Sequence, residues 1–141
     1  MTIILRIYNQ ALRVLNTLSP VMIFIVRVWI ARVFWASGIL AISDWNNTLY
    51  LFTNEFPVPL LPPLAAAVIA TFFEIVCPVL LTIGLASRLA TLPLLAITAV
   101  INFTYDNNPE HYYWAILLGS VLCFGPGKYS VDHWIKKKFA Q

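Results

Sequence analysis

The run from Leu64 to Leu85 constrains this chain more than any other stretch, because it is long and apolar enough for a bilayer span, which needs about 20 residues, and has one ionisable residue, Glu74, near its middle. Carboxylates at that depth are costly, and they are normally paired or functional. Four residues on, Pro78 has no N–H to give to the carbonyl of Glu74, so a helix kink and a loosened backbone are expected at the level of the carboxylate. The plain alternative is a Pro-kinked helix in which Glu74 makes one buried ion pair that only fixes packing.

Composition agrees with a membrane class. The hydrophobic fraction is 60% and the charged fraction 11%, against roughly 25% charged in soluble domains. The 141 residues suit a single domain. The net charge of +3 does not point to nucleic acid, because the Lys and Arg fall at the ends of apolar segments rather than in a basic, aromatic-interleaved patch. Cys77 and Cys123 stand alone in apolar segments, without metal-ligand spacing. His111, at the very start of the last apolar segment, and His133, in the tail beyond it, are expected to be solvated, so no metal site is expected.

The pattern predicts an all-α membrane protein: a four-transmembrane-helix bundle preceded by an N-terminal amphipathic helix in the interface. Within residues 1–19, Arg6, Asn9, Gln10, Arg13, Asn16 and Thr17 fall on one side of a helix and apolar residues fill the other. No small-residue cleavage site precedes Pro20, so this segment is read as retained rather than as a signal peptide. The four spans are placed at 20–43, 64–85, 89–105 and 109–124, with a tail at 125–141. Between the first two lies a Pro-rich loop with one short helix from Trp45 to Thr53. Asn108-Pro109-Glu110 supplies a cap, a first-turn proline and a first-turn acid for the last span.

Charge orients the bundle. Arg6, Arg13, Arg88, Lys128, Lys136, Lys137 and Lys138 fall at one end, whereas Asp44, Glu55, Asp106 and Glu110 mark the other, which places both termini in the cytoplasm. With this topology Arg32 lies about 18 Å and Glu74 about 19 to 20 Å above the basic end, at 1.5 Å per residue. They are expected to pair, with Arg27, about 8 Å lower, contributing to the same cavity. Two guanidinium groups against one carboxylate leave a surplus positive charge. Either Arg27 escapes to the headgroups, or an anion or an electron-rich ligand such as a quinone carbonyl completes the site.

Arg27 in an apolar helix followed by Phe34 and Gly38, Glu74 followed by Gly84 and Arg88 in LLTIGLASR, and GPGKYSVD from Gly125 to Asp132 together resemble the DoxX family of small four-helix bacterial membrane proteins. The resemblance spans about Val21 to Trp134. It implies a bacterial inner membrane and a link to redox chemistry, since the related DoxD protein is a subunit of a thiosulfate:quinone oxidoreductase. The chain departs from the family pattern in carrying Ala41 where a Lys commonly follows the glycine of the first span, and in adding Arg32.

The function expected is that of a redox-linked membrane subunit, in which Arg27, Arg32 and Glu74 bind a quinone headgroup or a small sulfur oxyanion. With no cofactor motif in the chain, it reads as an accessory subunit with a protein partner or as a homo-oligomer, not as a complete enzyme. A structural or assembly role is the alternative. A transporter fits less well, because the chain is small and shows no inverted repeat.

Overall fold

The computed structural model describes residues 2–140, and every regular element in it is a helix. Six occur: α1 (Thr2–Ser43), α2 (Trp45–Asn54), α3 (Pro63–Ile83), α4 (Ser87–Thr104), α5 (Pro109–Phe124) and α6 (Val131–Phe139). α1, α3 and α4 are long and apolar enough to cross a membrane.

Local chemistry sets most of the boundaries. Asp44 accepts from the Asn47 N–H at 3.1 Å and starts α2. Pro63 occupies the first turn of α3, where its missing N–H costs nothing. Gly84 ends α3 in the left-handed conformation (φ 77°), its N–H closing on the Leu80 carbonyl at 2.9 Å. Asn108 caps α5 by accepting from the Glu110 N–H at 3.0 Å, the start expected from the sequence.

The largest departure from expectation is at Pro20. The sequence reading separates an interfacial segment at 1–19 from a span at 20–43; in the structure Thr2 to Ser43 form one helix that continues through Pro20. A proline inside a helix removes one backbone hydrogen bond, and helix formers on both sides carry the ladder across it. At 1.5 Å per residue α1 is about 63 Å long, roughly twice a hydrocarbon core of about 30 Å. Residues 2–19 lie beyond the bundle and are exposed on all sides.

α1 packs mainly on α3 and also touches α5 and α2; α4 lies against both α3 and α5. The core between them is Ile30, Ala31 and Phe34 of α1, Cys77 and Leu81 of α3, Ala90 and Leu94 of α4, and Leu118 and Val121 of α5. Phe34 meets Trp114 of α5 edge to face at 5.8 Å. α2 lies across the end of the bundle opposite the basic residues, where the Thr48 hydroxyl donates to the Ala41 carbonyl at 3.0 Å.

Candidate functional site

The residues singled out in the sequence do not form one cluster. Arg27 is buried, but its guanidinium donates to the backbone carbonyls of Pro126, Thr82 (3.3 Å) and Tyr129 (2.6 Å). Arg32 lies on the exposed side of α1, two residues from Ile30 and two from Phe34, both buried. A two-residue step turns a helix by about 200°, so Arg32 faces away from the bundle. Glu74 is buried at 7% exposure and accepts a hydrogen bond from Ser37 Oγ at 3.2 Å. The expected Arg32–Glu74 pair is therefore corrected. Glu74 lies level with Ser37 and Gly38, about 8 to 9 Å further along α1 than Arg32 at 1.5 Å per residue, so the pair fails on depth as well as on the direction in which Arg32 points.

Arg27 belongs to a clasp at the basic end. The α3–α4 turn contains Gly84 and Ala86, both with positive φ, and the segment 125–132 folds over it. Asp132 accepts from the Ala86 N–H at 2.8 Å and the Ser87 N–H at 3.0 Å, which caps α4 from a distant part of the chain. A carboxylate at that position also meets the positive end of the helix dipole. The Asp132 N–H returns a bond to the Gly84 carbonyl at 2.9 Å. At Gly84 an added Cβ would collide with Ser130. Arg88 reaches the Cys123 carbonyl at 3.4 Å near the end of α5. Most of the residues that carry the family resemblance thus hold three segments together through backbone groups.

Glu74 belongs to a separate cavity of about 370 Å³ between α1, α2, α3 and α4. Alanines make the space: Ala66 and Ala70 of α3, Ala96 of α4 and Ala41 of α1 line it without filling it. Leu51 and Phe52 of α2 roof it, and Asp44 and Asn47 stand at its rim. Phe52, Phe56 and Tyr105 stack edge to face (5.7 and 4.4 Å) and pin the roof to the end of α4. Among the described residues lining the cavity, the charged groups are the carboxylates of Glu74 and Asp44, with no Lys or Arg.

Gly38 explains why Ser37 reaches Glu74. A Cβ on Gly38 would lie 2.8 Å from Ile75 Cδ1 and 3.1 Å from both the carbonyl carbon and Cβ of Glu74, so α1 and α3 touch closely only because that side chain is absent. Pro78 lies inside α3, and its carbonyl accepts from the Thr82 hydroxyl at 2.8 Å.

Two further residues differ from the sequence reading. Ser37 was not singled out, although a Ser-Gly pair inside an apolar run is a signal of close helix approach. His111, expected to be solvated, is 8% exposed in the first turn of α5, with Nδ1 3.3 Å from Asn102 Oδ1. The Asn108 cap that starts α5 turns this ring inward.

Three apolar helices of spanning length packed into one bundle define a helical integral membrane protein. Comparison with known families matches residues 22–107 to DoxX. The match covers more than half of the chain, which belongs to the DoxX family. Comparisons with curated proteins and with solved structures return no significant match.

Proposed function

We propose that the Glu74 cavity receives the headgroup of a membrane quinone or quinol, and that the chain serves as the quinone-binding membrane subunit of a redox system. The observation carrying this reading is a largely apolar space of about 370 Å³ lined by the buried Glu74 carboxylate and by the Ser37 hydroxyl that donates to it. Few polar groups at the end of a hydrophobic cleft are what a lipid-soluble ring with carbonyl or hydroxyl substituents requires. Glu74 and Ser37 would hydrogen-bond the ring oxygens, and the apolar walls would hold the ring and the start of its tail.

The same geometry weighs against a sulfur oxyanion. Two carboxylates and no cation line the cavity, and an anion placed there would meet like charge in a low-dielectric site. Arg27, the natural anion ligand, has three backbone carbonyls as partners instead. Electron transfer requires a partner that brings a redox centre.

The orientation consistent with this role has four spans, α5 being the fourth, with both termini on the cytoplasmic side of a bacterial inner membrane. α5 has 16 residues, about 24 Å at 1.5 Å per residue, which local thinning of the bilayer accommodates. The exposed apolar side of residues 2–19 would rest on the inner headgroups, with Pro20 as the bend.

A structural or assembly role is favoured by one specific observation, the clasp, since the hydrogen bonds that Arg27 and Asp132 make there all go to backbone groups. The two readings separate on extraction of the gently purified protein. A quinone recovered at near one per chain supports the redox reading, and quinone-free protein that still rescues a deletion strain supports the structural one.

A further inference from the structure

Arg32 plays no part in either polar constellation, and its position is chemically demanding. It is exposed on the outer side of α1, inside a helix apolar enough to span, and arginine keeps its charge in essentially any protein setting. A guanidinium facing hydrocarbon needs an anion or a route to the interface.

A second copy of this chain offers no carboxylate there. Asp44, Glu55, Asp106 and Glu110 belong to the far end, Glu74 is buried in its cavity, and Asp132 is engaged as the α4 cap. Two α1 helices packed in parallel on this face would also bring Arg32 against Arg32.

Three observations point to a lipid phosphate instead. Arg32 lies five residues beyond Arg27, about 8 Å above the level of the clasp, and helix side chains lean toward the N-terminus, here toward the basic end. A long guanidinium side chain covers most of that distance by snorkelling. Trp29 and Trp35, three residues to either side, are 60% and 40% exposed, so two indoles flank the guanidinium on the same outer surface and can offer N–H groups to phosphate or ester oxygens. The basic end also carries Arg88, Lys128 and Lys136 to Lys138, which raise the local concentration of anionic lipid.

We infer that Arg32, flanked by Trp29 and Trp35, binds the phosphodiester of an anionic phospholipid in the leaflet at the basic end of the bundle. The site is independent of the quinone reading, because it lies on the opposite face of α1 from Ser37 and Glu74.

The test is native mass spectrometry of full-length protein released from bilayers of defined phosphatidylglycerol and phosphatidylcholine content. Wild type is expected to retain one phosphatidylglycerol that Arg32→Ala loses about fivefold. Arg32→Lys should fall between them, and Lys137→Gln, which removes one charge at the same end, should cause a smaller loss. Unchanged melting temperatures would show that the variants are folded; if Arg32→Ala does not fold, Arg32→Lys carries the comparison. Equal retention by wild type and Arg32→Ala, or by phosphatidylglycerol and phosphatidylcholine, overturns the inference. Displacement by inorganic phosphate overturns it too, by showing a free-anion site.

Discussion

Ser37 and Glu74 meet across the α1–α3 contact, the Ser37 hydroxyl donating to Glu74 Oε1 at 3.2 Å. The bond depends on the neighbouring glycine, because Gly38 is where the two backbones come closest. Gly38→Val should force α1 off α3 and destabilise the protein by about 1–3 kcal/mol, the usual range for overpacking. Thermal melts in detergent would show the loss, and an unchanged midpoint would mean that the contact is loose.

Glu74 is a buried carboxylate whose hydrogen-bond partner is a hydroxyl, so its removal should relieve a desolvation cost instead of breaking an ion pair. Glu74→Met is therefore expected to melt at or above the wild-type temperature while losing ligand binding. A midpoint many degrees lower would point to a cationic partner for Glu74.

Ala41 lies one helical turn from Ser37 and lines the cavity. In Ala41→Lys the ammonium group would extend into the space above Glu74. The expected outcome is a protein at least as stable that no longer takes a quinone, measured by melting and by quinone content after extraction. Full quinone occupancy in this variant would place the ligand elsewhere.

At the clasp, Arg27→Met leaves the carbonyls of Thr82, Pro126 and Tyr129 without their buried donor and should cost about 1–3 kcal/mol. Asp132→Ala removes a helix cap and should cost about 0.5–2 kcal/mol. Both act on the segment that folds over the α3–α4 turn, so the double variant should be less destabilised than the sum of the singles. Additive losses in a double-mutant cycle would show two independent features.

Apolar length made the long helices legible in the sequence, and Asn108 with Pro109 marked the start of α5, whereas Gly84, read as lying inside the second span, ends α3, and Pro20, read as a boundary, lies inside α1. Glu74 was legible as an isolated charge in an apolar run. The partners of Glu74, Arg27 and Arg32 were not. Those depend on rotation about the helix axis, and the signal lay in the small residues: Gly38 marks the side of α1 that faces α3, and Arg32 is about 120° away from it around the helix. The clasp also escaped, since Asp132 caps a helix that begins far earlier in the chain.

If a quinone headgroup lies against Glu74 and Ser37, binding of a short-chain quinone should differ among purified wild type, Glu74→Gln and Ala70→Trp. Ala70 lines the cavity, so the indole should fill the space and abolish binding while the protein stays folded. Glu74→Gln should weaken binding by about tenfold, the worth of one good hydrogen bond. Identical affinities for all three proteins would contradict that placement.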